Sequence, residues 1–169
     1  MPHAGHWTIF SSTTNKPPQK GHSLSFPSFS RISAVTVLGE KSGSNVMSSG
    51  EEAVIGVSIL PNEDVAGVTV GIMIREKYGQ DIFGTNTYHH AIPVDLHGHE
   101  AVACTFRLRM DIGPGKYTVT AALHSRDTHL DDCFHWEDNA ASFEVAGNHG
   151  RYSIGLCKLY PEIDVNVHE

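Results

Sequence analysis

Histidine and acidic side chains have the most varied chemistry in this sequence, and they concentrate in predicted loops. Twelve of the 169 residues are histidine. Two segments bring histidine close to other side chains that can bind metal, HGHE at 97–100 and HSRDTHLDDCFHWEDN at 124–139. Neither segment has the ligand spacing of a known zinc pattern. We therefore expect polar loop residues, and we predict neither a metal ion nor another cofactor.

Motifs for catalysis are missing from the sequence as well. There is no GxxxxGK[ST] phosphate loop and no GxSxG nucleophile elbow. A glycosidase needs two carboxylates across a cleft, whereas the acidic residues of the second segment cluster in one predicted loop: Asp131, Asp132, Glu137 and Asp138. The sequence therefore predicts a protein that is not an enzyme.

Charge and cysteine usage restrict the partners and the compartment. The net charge of -7 argues against binding to a phosphate backbone, which requires a concentrated basic face, so no nucleic acid is expected. The three cysteines are an odd number, which favours a reducing compartment. The chain shows no signal-peptide pattern, and no apolar stretch approaches the ~20 residues of a membrane span. We expect a cytoplasmic protein.

Short strands must position any site in this chain. Residues 1–30 are rich in Ser, Thr, Pro, Gly and Lys without hydrophobic periodicity, which predicts a linker or flexible N-terminal segment. From 31 to 169, alternating segments separated by turn residues predict one all-β domain, an immunoglobulin-like antiparallel β-sandwich. The predicted strands are 32–38, 53–60, 68–78, 82–85, 101–110, 116–125, 140–145 and 153–159.

Alternation along these strands separates a core face from an outer face, because successive side chains point to opposite sides of a sheet. On strand 101–110 the outer residues are Ala103, Thr105, Arg107 and Arg109, an ordinary solvated face. The predicted core consists of the apolar alternating sets Ile55, Val57, Ile59, Val68, Val70, Ile72, Ile74, Val102, Cys104, Phe106, Leu108, Met110, Tyr117, Val119, Ala121, Leu123, Phe143 and Val145.

The outer faces of strands 68–78 and 116–125 differ from that solvated surface. In an immunoglobulin-like sandwich these two strands lie side by side, so small residues such as Gly71 and Ala122 form a trough floor that can admit a flat polar ligand such as a sugar ring. Loop aromatics can stack on the sugar, and an arginine suits a phosphate or carboxylate. The predicted ligand-binding residues are Met73, Arg75, Tyr88, Thr120, His124 and Trp136.

Other interpretations of these residues stay open. The small residues can equally accept an overlying protein segment, as in a structural dimerisation sandwich without a ligand. Trp136 can equally be a plug that closes one end of the core. A metal-dependent enzyme that uses the loop histidines and acids is the third alternative.

Several motifs, taken in order, resemble one family, the C-terminal carbohydrate-binding domain of Wzt-type proteins. These proteins are the ATPase subunits of O-antigen polysaccharide ABC transporters. The resemblance covers about residues 32–159, and the order and spacing of the motifs carry it. The motifs are SGEE at 49–52, VGIMIREKYGQDIFGTNT at 70–87, GPGKY at 113–117, WED at 136–138, FEV at 143–145 and the closing segment 150–156.

The resemblance implies partners and a location. It implies a homodimer that exchanges the C-terminal strand, here around 153–159, and a domain that binds the modified non-reducing end of the O-antigen polysaccharide in the cytoplasm before export. A nucleotide-binding domain of the parent chain and a transmembrane transporter subunit at the inner membrane would be further partners. Ligand residues in this family differ with the glycan, so the six residues above rest on the strand analysis alone.

Overall fold

A computed structural model describes residues 30–125, 133–148 and 150–165. Regular structure in these ranges consists of strands only, so they contain no helix that could cross a membrane. The all-β prediction is thus confirmed. The strands are β1 Ser30–Gly39, β2 Val46–Ser49, β3 Glu52–Pro61, β4 Val65–Glu76, β5 Asp81–Asn86, β6 Val94–Leu96, β7 Val102–Arg109, β8 Gly115–Ser125 and β9 Cys133–Asn148.

Two sheets form the sandwich. The three-stranded sheet has the order β1-β3-β7, and the larger sheet has the order β2-β9-β8-β4-β5, with β6 also paired to β4. All ladders are antiparallel except that of β2 with β9, which is parallel. Strands β4 and β8 pair along nearly their whole length, as the sequence predicts. The outer face of this larger sheet is therefore shared by both strands.

The core lies between the sheets and uses the predicted residues. Ile55, Val57 and Ile59 of β3 and Val70 and Val119 of the larger sheet have no exposed surface. Strand β7 differs, because among the described strands it forms the edge of the smaller sheet and pairs with β3 alone. Its inward residues are therefore only half-buried: Val102, Cys104, Phe106 and Leu108.

The structure corrects several strand predictions. Strand β9 begins at Cys133, well before the predicted 140–145, because its first half is polar and shows no apolar alternation. Strands β2 and β6 contain four and three residues, too few to show a period of two. The segment 153–159 forms no strand within the single chain, where only Ile112 and Cys157 make a bridge. The predicted linker lies outside the described residues, except that Ser30 begins β1.

The C-terminal segment 150–165 is anchored to the connection between β7 and β8. Gly113 N donates to Leu156 O at 3.0 Å, and Lys158 N donates to Asp111 O at 2.9 Å. A Cβ at Gly113 would collide with the carbonyl oxygen of Gly155, so this approach requires glycine. Around this anchor the apolar side chains are exposed: Tyr152, Ile154, Leu159, Ile163 and Val165.

Candidate functional site

A row of paired residues crosses four strands on the outer face of the larger sheet. Trp136 of β9 pairs with Ala122 of β8, Ala122 pairs with Gly71 of β4, and Gly71 pairs with Asn86 of β5. Because neighbouring strands are about 4.8 Å apart, the outer two backbones stand about 14 Å apart. The predicted floor of small residues therefore has a tryptophan on one side and an asparagine on the other.

Trp136 belongs to this outer face and does not close the core. Its neighbour His135 points inward, where its Nδ1 accepts a hydrogen bond from Ile32 N of β1 at 3.2 Å. Successive strand residues point to opposite sides, so the indole lies outside the sandwich, where 38% of the residue is exposed. The core-plug interpretation of Trp136 is therefore wrong.

The asparagine side continues into the loop after β5. Asn86 Oδ1 accepts a hydrogen bond from His89 N at 2.8 Å. The Tyr88 ring meets the His89 ring edge-on, with centroids 6.3 Å apart, and Tyr88 is exposed. Thr85 Oγ1 and His90 Nε2 lie 3.0 Å apart. Tyr88 thus follows β5, the last strand at one edge of the larger sheet, whereas Trp136 is on β9, near the other edge.

A charged cluster joins the same four strands further along the face. Arg75 of β4 donates from Nε to Asp81 Oδ1 of β5 at 2.6 Å. Its Nη1 donates to Asp138 Oδ1 of β9 at 3.0 Å and to Thr120 Oγ1 of β8 at 3.3 Å. The Thr120 hydroxyl donates to the same Asp138 oxygen at 3.1 Å. We call Arg75, Asp81, Thr120 and Asp138 the Arg75 cluster.

A bulge in β9 places Asp138 in this cluster. Val119 pairs with Ala141 and Ala121 pairs with Glu137. Between these two pairs β9 therefore has two more residues than β8. Asn139, within the bulge, has a positive φ of 52°, a conformation that asparagine adopts more readily than most residues. Bulges bend a strand and re-aim its side chains. Here the bulge brings the Asp138 carboxylate to Thr120 and Arg75.

The charge of Arg75 is already compensated within the cluster. Partial burial disfavours the charged form, but the hydrogen bonds and charges of Asp81 and Asp138 outweigh it and raise the pKa of Arg75. One guanidinium therefore faces two carboxylates. This leaves less positive charge for an anionic ligand than the isolated arginine of the sequence analysis would offer.

The six predicted ligand residues occupy three places on the sheet. Met73 pairs with Thr120 and lies over Gly84, so Met73, Arg75 and Thr120 lie together, and Trp136 lies near them. His124 is four residues from Thr120 on β8, about 13 Å along the strand. Tyr88 lies in the loop after β5.

Part of this face is covered by the chain itself. The buried outer residues of β4 and β8 are Thr69, Gly71, Thr120, Ala122 and His124. The accessible part consists of Met73, Arg75, Asp81, Trp136 and Asp138, which with the buried Thr120 we call the sheet-face patch.

Sequence reasoning missed three residues of this region, Asp81, Asn86 and Asp138. Asp81 had a usable signal, because it stands across a short turn from Arg75 in the hairpin 70–87 and pairs with it. Asp138 had none, because its position depends on the bulge. Among the residues that the structure describes, no group of three His, Cys, Asp or Glu gathers to hold a metal ion. His129, Asp131 and Asp132 lie outside those residues.

Comparisons with known proteins agree with this architecture. The family model described as Wzt C-terminal domain matches residues 30–159. The crystal structure of the C-terminal domain of wzt is similar with a TM-score of 0.69 and 14% identity, over 82% of this chain and 84% of that chain. At that identity the likeness shows the fold.

Two further solved structures are less similar. A CARDB domain from Pyrococcus furiosus has a TM-score of 0.39 and 17% identity, over 71% of this chain and 96% of its own. A β-glucosidase from Listeria innocua in complex with glucose has a TM-score of 0.38 and 15% identity, over 71% of this chain and 16% of its own. No curated protein sequence matches the chain.

Proposed function

Since the chain belongs to the Wzt C-terminal domain family, we propose that it is a non-catalytic module that recognises the modified non-reducing end of an O-antigen polysaccharide for export by an ABC transporter. Membership of this family supports the general role of carbohydrate binding in O-antigen transport. The observation that supports recognition of a glycan end is the sheet-face patch, where the exposed indole of Trp136 lies beside the Arg75 cluster.

The chemistry of the patch suits a sugar. Sugar rings have apolar faces that stack on aromatic side chains, and hydroxyl groups that both donate and accept hydrogen bonds. Trp136 supplies the ring, and the Arg75 cluster supplies carboxylate acceptors and guanidinium donors. The patch extends about 7 Å along β4, from Met73 to Arg75, and about 14 Å across the strands from β5 to β9, which is room for the end of a glycan rather than for a long stretch of it.

The test is calorimetric titration with the O-polysaccharide of the source bacterium, both intact and with its non-reducing terminus removed. We expect binding of the intact polymer only. Arg75→Ala should weaken binding at least about tenfold, or about 1.4 kcal/mol, with little loss of melting temperature. Arg107→Ala is the matched control, because Arg107 pairs with Glu40 on the other sheet. Equal binding of the trimmed polymer would contradict end recognition, and an unchanged affinity in Arg75→Ala would contradict the site.

We also propose a homodimer that forms through the C-terminal segment. The exposed apolar side chains of 150–165 and the half-buried inner row of the edge strand β7 support it, because a strand from a second copy can cover such an edge. The test is molar mass by light scattering. A dimer is expected for the native chain, and a monomer when Ile154 and Leu159 are both replaced by Ser. A monomeric native chain would contradict the proposal.

The second candidate function is a structural dimerisation sandwich without a ligand. The burial of Thr69, Ala122 and His124 on the outer face favours it, because protein already covers that part of the predicted trough. A stable dimer that binds neither form of the polysaccharide would support this candidate over the first.

The remaining partners are part of the same proposal. A nucleotide-binding domain of the parent chain and a transmembrane transporter subunit would work with this module in the cytoplasm, at the inner face of the inner membrane. Such an arrangement brings the bound glycan end to the transporter.

A further inference from the structure

We propose that the sheet-face patch takes an uncharged, hydroxyl-bearing glycan end and discriminates against an end that carries phosphate or carboxylate. This inference rests on the proposed function and specifies the chemistry of its ligand. It comes from the way in which this chain surrounds Arg75, the one cation of the patch.

The patch carries more negative than positive charge. Arg75 makes ion pairs of 2.6 Å with Asp81 and 3.0 Å with Asp138, so the three side chains together carry one net negative charge. Their side chains are 21%, 34% and 57% exposed, so an incoming ligand would meet the carboxylates at least as readily as the guanidinium. An anionic group placed here would be repelled by more charge than attracts it.

The surrounding charges do not reverse this balance. Lys116 on β8 stands opposite Glu144 on β9, so that row contributes one charge of each sign. Lys77, in the hairpin turn, lies over the Tyr78 ring with Nζ 4.7 Å from its centroid. Among the described residues, neither lysine makes a hydrogen bond or an ion pair with the Arg75 cluster.

The Arg75 cluster keeps both donors and acceptors for a ligand. Arg75 uses Nε and Nη1 inside the cluster, and each aspartate uses Oδ1. Within the described part of the chain, Nη2 of Arg75 and Oδ2 of Asp81 and Asp138 make no hydrogen bond. The patch therefore offers two acceptors and a two-hydrogen donor. A hydroxyl group can donate to a carboxylate and accept from the guanidinium at once, whereas a phosphate dianion or carboxylate can only accept.

Discrimination of this kind needs a repulsive element as well as an attractive one. Asp138 supplies both, because it fixes Arg75 and also presents a carboxylate to the ligand. A single arginine without its aspartates would favour phosphate, since its planar fork matches two phosphate oxygens. The two aspartates thus convert an anion site into a site for neutral polyols.

The test uses bacterial oligosaccharides printed as matched pairs that differ by one phosphate or one carboxylate, followed by calorimetry on pairs that bind. The intact O-polysaccharide of the source bacterium is included as a reference. We expect the wild-type chain to bind the uncharged member at least about tenfold tighter than its anionic partner. Its affinity should change less than about twofold between low and high salt, since salt screens charge–charge attraction.

Variants test the cause. Asp81→Asn combined with Asp138→Asn keeps the shapes, frees the positive charge of Arg75, and should reduce or reverse the preference for the uncharged member. Asp138→Asn alone should reduce this preference by less than the double variant does. It replaces the double variant in the test if the double variant does not fold. Glu40→Gln is the control, because it also removes a carboxylate from an arginine, Arg107, but on the other sheet, and it should leave the preference unchanged.

The outcomes separate this inference from the proposed function. If the wild-type chain binds the O-polysaccharide but prefers anionic members of the pairs, or if the double aspartate variant keeps the wild-type preference, the inference is wrong and the carbohydrate-binding role stands. If neither the O-polysaccharide nor any printed glycan binds to folded protein, the proposed function itself fails.

Discussion

Two acidic residues of this chain, Glu51 and Asp138, both accept several hydrogen bonds but have very different structural surroundings. Glu51 is buried in the turn before β3, where Oε1 accepts from Lys41 N at 3.0 Å and Ser42 N at 2.6 Å, and Oε2 accepts from Ser48 N at 3.1 Å. Asp138 is exposed on a bulge, and its contacts are the side chains of Arg75 and Thr120.

The hydrogen-bond partners of the two carboxylates differ: Glu51 binds backbone amides and Asp138 binds side chains. This difference indicates which carboxylate stabilises the fold and which is available to a ligand. Backbone amides cannot move away from Glu51 without opening the turn, so both of its oxygens are committed to the fold. The partners of Asp138 are side chains on a sheet surface, and among the described residues they bind Oδ1 and leave Oδ2 without a hydrogen bond. We therefore expect replacement of Glu51 to change stability without changing affinity, and replacement of Asp138 to do the reverse.

The largest effect should come from Glu51→Ala. Removing the carboxylate leaves three backbone amides without their acceptor, and each such loss costs about 1–3 kcal/mol when water cannot replace it. Because the turn is partly open to solvent, we expect a total of about 2–3 kcal/mol in urea unfolding. Glu52→Ala is the control, since Glu52 is exposed. Equal stability of the two variants would show that Glu51 does not hold the turn.

The next effect should come from Asp138→Ala. We expect the affinity for the O-polysaccharide to fall about tenfold, or about 1.4 kcal/mol, because an acceptor is lost and Arg75 loses one of its two anchors. The free energy of unfolding should change by less than about 1 kcal/mol, as is usual for an exposed ion pair. Calorimetry and urea unfolding of the same preparation measure both quantities. A large loss of stability with unchanged affinity would reverse the roles given to the two acids.

A smaller effect is expected at the floor of the trough. A Cβ at Gly71 would have its nearest atom, Asn86 Cβ, at 3.5 Å, so Gly71→Ala should fold normally while it narrows the floor. Gly71 is buried, so the substitution affects binding only if the ligand reaches the floor, in which case we expect an affinity loss of about two- to fivefold, or about 0.4–1 kcal/mol. Gly56→Ala, on the outer face of the smaller sheet, is the control and should bind normally; a Cβ there would lie 2.8 Å from Thr36 Oγ1, so its folding must be checked first. If Gly71→Ala also binds normally, the ligand does not reach the floor, as in the structural alternative.

The smallest effect concerns acid pH. Burial tends to raise the pKa of Glu51, but the amides of Ser42, Ser48 and Lys41, with the Ser42 hydroxyl, outweigh it and lower the pKa. The folded value thus lies below the unfolded one, so the stabilisation is complete above the unfolded value, about 4.3, and is lost as pH falls through the folded value. Unfolding curves from pH 6 to pH 3 should show a shallower loss for Glu51→Gln than for the wild type. Parallel losses would contradict the assignment.

The sequence predicted the layers of the fold better than the contents of the site. Alternation in residues 68–74 and 117–123 identified the core faces of β4 and β8 because burial leaves a period of two in the chain. The pairing of those strands followed from the sandwich type. The half-buried row of β7 was not predicted, because a strand's position at a sheet edge leaves no trace in its own alternation.

The Arg75 cluster shows how far the sequence alone predicts the contacts of the site. Arg75 was expected on the outer face, and it lies there, but Asp138 reaches it through a bulge that no local pattern signals. Trp136 had two readings because a single aromatic residue before a strand carries no information about which face it will occupy. Cross-strand contacts between residues up to 63 positions apart decide the electrostatics, and these contacts appear only when the register is known.

The most direct test of the central claim is an NMR titration of the ¹⁵N-labelled chain with the non-reducing-end oligosaccharide of the O-polysaccharide. The Arg75 Nε–H and Trp136 indole N–H signals report on the patch, and Trp136→Phe identifies the second signal against that of Trp7. We predict that these signals and the amides around Asp138 shift first and saturate together, while Thr105 and Arg107 on the other sheet stay unchanged. Saturable shifts confined to the other sheet, with none at Arg75 or Trp136, would contradict the account.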